Sequence, residues 1–213
     1  MDQAIFHLIN EGWTHPALDL FMAAISDVEI WKPLLIVLAL CILIFAGFKG
    51  RAFIICLVLA LVVADYLLVS TLKQAIGRRR PKQVQKVRMV QLERTHPQFL
   101  TLFRKPTIRY SDETDRNKSG PSFPSGHVTD NVIIGTICVL FFRRWGWLYF
   151  ILATAIAWSR IYLGAHWPSD VLGTTFMAAG EAFLMVALAE FLWKRFAPRW
   201  MPELFERHPR LIG

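Results

Sequence analysis

The chain has 213 residues, 54% of them hydrophobic and 19% charged, with a net charge of +8. A soluble domain carries about 45–50% apolar and about 25% charged residues; here the apolar residues run in long blocks almost free of charge, the signature of membrane spans. The basicity is no nucleic-acid footprint: 13 of the 24 Lys and Arg lie between Lys73 and Lys118 against 4 acidic residues, and the rest of the chain is nearly balanced.

In chain order, the N-terminus (MDQAIFHLIN) lacks the basic start and small-residue cleavage site of a signal peptide. Residues 17–28 are too short and polar to cross a bilayer. Leu18, Phe21, Met22 and Ile25 recur there at helical spacing, which predicts an amphipathic helix in the interface plane, inside an interfacial segment 1–29. The competing reading, a sixth span from Ala4, would bury Glu11, His15 and Asp19. Five spans follow, over 30–48, 52–72, 128–142, 145–163 and 170–193, with a tail from 194 to 213. Pro33 suits the opening turn of the first. The third is short for a span of about 20 residues, so its start belongs near the membrane surface or in a protein-lined hollow. The expected fold is all-α, one polytopic membrane domain. Cys41, Cys56 and Cys138 sit inside apolar blocks and read as packing residues.

Lys49 and Arg51, Arg143 and Arg144, and Lys194, Arg195 and Arg199 all fall on one face of this bundle, which the positive-inside rule makes cytoplasmic. The basic loop 73–127 and the junction from Leu163 to Asp170 then lie on the opposite side. That loop breaks the charge rule, so its cations need another reason. Asp65, Asp130 and Glu181 are costly in hydrocarbon; Asp130 suits the N-terminus of the third span, and the other two carry no assigned role. Trp145, Trp147, Trp158, Trp167 and Trp193 stand at block ends and fit an interfacial belt.

Three segments meet on the outer face: KQAIGRRRP from Lys73, PSGH from Pro124, and SRIYLGAHWPSD from Ser159. Their residue types suit a phosphoryl group, whose transfer is catalysed mainly by positioning and charge stabilisation. Lys73, Arg80 and Arg160 supply fixed positive charge, Ser125 a hydroxyl donor, and Gly126 a close backbone approach at a helix N-terminus. A headgroup-binding cluster is the plainer use of such a basic run. Arg78 and Arg79 stand outside the motif and read as surface or lipid-contacting residues.

The spacings K-x6-RP, PSGH and SR-x5-H-x3-D resemble the three-part signature of the type 2 phosphatidic acid phosphatase (PAP2) superfamily, over about residues 17–193. The resemblance implies a lipid phosphatase in the plasma membrane, with its site on the extracytoplasmic side, acting on a membrane lipid phosphate. It implies His166 as nucleophile forming a phosphohistidine, Asp170 orienting that imidazole, and His127 as general acid, with Lys73, Arg80, Ser125, Gly126 and Arg160 holding phosphate. No cofactor and no metal ion are expected. A lipid-to-lipid phosphotransferase with the same chemistry, and a non-enzymatic lipid- or anion-binding protein, are the alternatives.

Overall fold

The computed structural model describes residues 1–212, with the backbone alone at Lys118. A short helix α1 (Asp2–His7) passes through a π-helical turn, breaks at Trp13, and resumes as α2 (Pro16–Ser26). Pro16 opens α2 with its preset φ, and at 11 residues α2 cannot span a bilayer. Next come α3 (Val28–Phe45) and α4 (Gly47–Val63), the latter continuing through a π-helical stretch, Ala64–Val69, into α5 (Ser70–Ile76). Asp27 caps α3 by accepting from the Glu29 amide at 3.2 Å.

The basic loop is built rather than slack. It holds α6 (Pro81–Val84), the antiparallel strands β1 (Arg88–Gln91) and β2 (Thr107–Tyr110), and α7 (Glu113–Lys118). This hairpin is the one sheet among the described residues of an otherwise helical chain. The bundle closes with α8 (Gly126–Phe142), α9 (Tyr149–Tyr162), α10 (Pro168–Trp200) and a terminal α11 (Pro202–Arg207).

Four helical stretches are long and apolar enough to cross a membrane: Val28–Phe45, Gly47–Val84, Gly126–Tyr162 and Pro168–Trp200. The third is folded in two. Arg143, at φ 51°, ends α8, and the chain turns back so that Tyr149 Oη donates to Asn131 Oδ1 at 2.8 Å. Gly146 lies directly on the α8 backbone at Cys138, the close approach that small residues permit between membrane helices. Five bundle helices result, as expected, although α10 runs seven residues past the predicted end. The tail folds back on the bundle, where the Leu211 amide donates to Glu190 of α10 at 2.7 Å and His208 stacks on Phe48 of α4.

Burial explains the polarity pattern. Val132, Ile133, Ile137 and Phe141 of α8 and Ala178, Ala182 and Val186 of α10 form the centre, each less than a twentieth exposed. Outer residues of α3 such as Leu34, Val37 and Ile44 are more than half exposed, apolar surface suited to lipid. Helix α2 departs from a simple interfacial helix. Leu18 and Phe21 point outward, while Asp19, Met22, Ala23 and Ser26 face inward. The cause is a buried polar knot. Asp19 accepts from Arg88 Nη2 at 2.7 and 2.8 Å and from Tyr162 Oη at 2.7 Å. Fully buried Asn10 donates to the carbonyls of Arg88 and Tyr162 at 2.9 and 2.7 Å, and accepts from the Arg88 amide. The N-terminal segment, β1 and the end of α9 are thereby tied together.

Removing one partner of a buried ion pair costs about 3–5 kcal/mol. Asp19→Ala should therefore lower the thermal midpoint of the detergent-solubilised protein markedly. Phe21→Ala, on the outward face of the same helix, should leave it nearly unchanged.

Candidate active site

The three motif segments converge at the bundle end formed by the close of α5, the start of α8, the close of α9 and the start of α10. Each is delivered by a local backbone device. Lys73 sits in the last turn of α5, which Gly77 ends in the left-handed conformation (φ 59°). Arg80 precedes Pro81 at the start of α6, and its guanidinium donates to the Gly120 carbonyl at 3.0 Å. Lys73 lies within electrostatic reach of Arg80, and also of Asp65 and Asp130.

Helix α9 stops at Gly164, whose φ of 71° suits glycine and where a Cβ would press on Val87 and the Arg88 carbonyl. The amides of Ala165 and His166 both donate to the Arg160 carbonyl, at 3.0 and 3.1 Å. The turn therefore fixes His166 against Arg160.

Ser125 stands at the N-cap position of α8 without a side-chain cap bond, and its amide donates to Thr174 Oγ1 of α10 at 3.1 Å. Phe123 packs on Gly173, where a Cβ would come within 3.0 Å of the ring. These two contacts seat the PSGH turn on the first turns of α10. A Cβ on Gly126 would meet no protein atom within 4 Å, so the helix start is open above its free amides, as an anion approaching them requires. Ser125 Oγ and Arg160 Nε are buried without a hydrogen-bond partner. Both are donors, and both belong to the predicted phosphate-binding set.

His166 is 2% exposed. Its Nδ1 stands 4.0 Å from Asp170 Oδ2, beyond hydrogen-bond range, and 3.5 Å from Ser122 Oγ. Ser122, fully buried, donates to Asp170 Oδ2 at 2.5 Å. The carboxylate also accepts from the Trp167 amide at 3.0 Å and from Arg78 Nη1 at 2.7 Å. The expected His166–Asp170 pairing thus has a hydroxyl lying between its members. Arg78 further binds Asp2 at 2.7 Å, and Asp2 accepts from the Ser169 amide at 2.9 Å. Arg78 is therefore an anchor of the site carboxylate rather than a free surface cation. The sequence offered no signal for this beyond its position two residues before Arg80. Trp167 likewise leaves the expected interfacial belt: it is 6% exposed, with its indole donating to the Arg79 carbonyl at 2.9 Å.

His127 Nε2 lies 3.0 Å from the Ser26 carbonyl. A carbonyl only accepts, so this nitrogen carries the proton and Nδ1 is the one left to exchange. Arg160 donates to the Ser26 hydroxyl. Ser26, at the end of α2, is a site residue that no motif announced. A cavity of about 590 Å³ opens beside His127 and Arg160. No three His, Cys, Asp or Glu side chains gather as potential metal ligands among the described residues.

Burial first, then the charges of Arg80 and Arg160, hold the His166 imidazole well below its ordinary range. The folded pKa is depressed, so the unfolded chain takes up this proton first. The residue's contribution to stability is intact above about pH 6.5 and falls as pH drops toward the folded value. Imidazole ¹⁵N shifts should show His166 neutral at pH 6, and Arg80→Gln should raise its pKa.

Residues 51–195, about two thirds of the chain, match the family model described as the PAP2 superfamily. The chain is 49% identical over 53 residues to the putative undecaprenyl-diphosphatase YbjG of Escherichia coli, a match spanning 24% of this chain and 27% of that protein. The chain thus spans about a quarter of the length of that relative. A lipid A 4'-phosphatase of Bacteroides thetaiotaomicron is 25% identical over 88% of the chain and 77% of its own length. Among solved structures, Aquifex aeolicus LpxE superposes with a TM-score of 0.60 at 23% identity, covering 87% of this chain and 94% of its own. A phosphatidylglycerolphosphate phosphatase from Bacillus subtilis superposes at 0.56 and 22%, covering 91% and 88%. At these identities the two structures speak for a shared fold, whereas the family model covers all three motif segments: the chain is a member of the PAP2 superfamily.

Proposed function

We propose that the protein is an integral membrane phosphatase that hydrolyses a phosphate ester of a membrane lipid through a phosphohistidine on His166. The observation that carries this reading is the convergence of His166, His127 and Asp170 with Lys73, Arg80 and Arg160 around the unpartnered donors Ser125 Oγ and Arg160 Nε. The family membership and the names of its relatives, which are lipid and polyprenyl phosphatases, support the same chemistry.

In the first step His166 Nε2 attacks phosphorus, the bond from phosphorus to the lipid oxygen breaks, and His127, entering the step as imidazolium with Nε2–H held by the Ser26 carbonyl, gives that oxygen its Nδ1 proton. The attacking nitrogen is Nε2 because Nδ1 faces Ser122. The Nδ1 proton points at Ser122 Oγ, whose own proton is committed to Asp170, so the carboxylate orients and stabilises the imidazole through the serine. In the second step water attacks phosphorus, His127 takes the water's proton, and inorganic phosphate leaves with His166 restored. The cationic residues and the α8 amides bear the phosphoryl charge throughout.

The positive-inside rule supports an extracytoplasmic site in the plasma membrane, since Arg143, Arg144 and Lys194 to Arg199 lie at the ends of α8 and α10 remote from His127 and His166. Lipid A phosphates, phosphatidylglycerophosphate, phosphatidic acid and undecaprenyl diphosphate are the substrate candidates.

Two outcomes are expected from purified protein assayed for phosphate release. His166→Gln should lose well over nine tenths of turnover while remaining folded, in line with losses of ~10²–10⁶-fold for groups that act in the chemical step; a larger residue of activity refutes the nucleophile. Ser122→Ala should lower kcat by up to about 10²-fold with little change in KM. Activity should also survive chelator and be blocked by vanadate, and chelator sensitivity would overturn the metal-free mechanism.

A further inference from the structure

Helix α10 carries Asp170 in its first turn, and that turn is held from the start of the chain. Pro168 has no amide, so the first free N–H of α10 is that of Ser169, and the N-cap residue Trp167 has no side-chain acceptor to offer it. Asp2 supplies the acceptor instead. Its Oδ1 takes the Ser169 amide at 2.9 Å and its Oδ2 the Ser169 hydroxyl at 2.6 Å, and a carboxylate there suits the positive end of the helix. The same Oδ2 receives Arg78 Nη2 at 2.7 Å, while Arg78 Nη1 reaches Asp170 Oδ1 at 2.7 Å and the Ser169 hydroxyl at 2.8 Å. Burial alone would push the Asp2 carboxyl up, but the bonds from Ser169 and Arg78 hold it below its ordinary value. Fully buried Phe6 packs on the Trp167 ring with 5.2 Å between centroids, which seats α1 on this turn.

The Arg78 side chain is 36% exposed, and an unrestrained guanidinium there would sample many rotamers. Asp2 holds one of its terminal nitrogens and so fixes the direction of the other. The Arg78 carbonyl also accepts the Ser122 amide at 2.6 Å. Both groups that orient His166, the Asp170 carboxylate and the Ser122 hydroxyl, therefore lean on Arg78. We propose that Asp2 is a positioning residue of the active site, which by holding Arg78 keeps Asp170 and Ser122 in the arrangement that leaves His166 protonated at Nδ1 and free at Nε2. A purely structural tether would change stability without selecting the tautomer of a histidine on the far side of Asp170.

This inference rests on the phosphatase reading, and the experiment tells their failures apart. Asp2→Asn keeps an acceptor for the Ser169 amide and loses the charge that binds Arg78. Full-length protein in detergent micelles is assayed for phosphate release from the best substrate of a lipid-phosphate panel. The variant should show kcat lowered about tenfold with KM within about twofold of the original. In an Arg78→Gln background the same change should cost less than about twofold, because the route through Arg78 is already cut. Imidazole ¹⁵N shifts should show the Nε2–H tautomer of His166 appearing in Asp2→Asn. An unchanged kcat overturns the inference, as does a lowered kcat with unaltered His166 shifts or with a full further loss on top of Arg78→Gln; each of these leaves the phosphatase reading standing. No release by the unaltered protein from any lipid overturns both.

Discussion

The carboxylate of Asp170 accepts hydrogen bonds from three directions: Arg78 beyond α5, Ser122 before α8, and the amide of Trp167 in its own turn. A fully buried carboxylate needs such partners, because an isolated buried charge is strongly disfavoured. In satisfying it, the chain brings the basic loop, the PSGH turn and the first turn of α10 to one place. Asp2 adds the N-terminus through the shared Arg78 and the free amide of Ser169. The geometry at His166 follows from that arrangement, with Ser122 as the link between imidazole and carboxylate.

A second knot works the same way a little farther out. Within a bilayer, helices gain little hydrophobic drive toward one another, so close packing and polar contacts hold them. Asn10, Asp19, Arg88 and Tyr162 form a buried set joining the N-terminal segment, β1 and the end of α9. Part of the loop's excess positive charge is explained here. Arg78 and Arg88 serve internal carboxylates, Arg109 pairs with Asp115, and Arg80 and Lys73 belong to the site. The loop is basic in part because it is folded around acids and, on the proposed reading, because Arg80 and Lys73 receive a phosphate.

Function, on the proposed reading, divides the site about His127. On one side lie the nucleophile, Lys73 and Arg80; on the other lies a cavity whose walls carry Arg160 and Arg94 together with Asp27 and Glu29. The Ser26 carbonyl sets the tautomer of His127 and the Ser26 hydroxyl accepts from Arg160. A residue at the end of α2 therefore couples the acid to the cradle. This also gives α2 a reason to turn its polar positions inward.

The sequence by itself determined the membrane class, the five bundle helices and the family, because unbroken apolar blocks and three spaced motifs are local signals. It marked His127, His166, Asp170 and the cationic set as candidate residues, while the left-handed turns at Gly77 and Gly164 that place them came from the structure. Only the tertiary structure decided what stands between His166 and Asp170, since Ser122 is 44 residues from His166 in the chain and carries no pattern of its own. The same holds for Asp2, Ser26 and Arg78, and for the inward turn of Asp19. Each was read from its own helix or run as surface, interface or nothing in particular. Their roles arise from partners far away in sequence, and hydrogen-bond satisfaction of buried charge is a property of the assembled end of the bundle rather than of any segment.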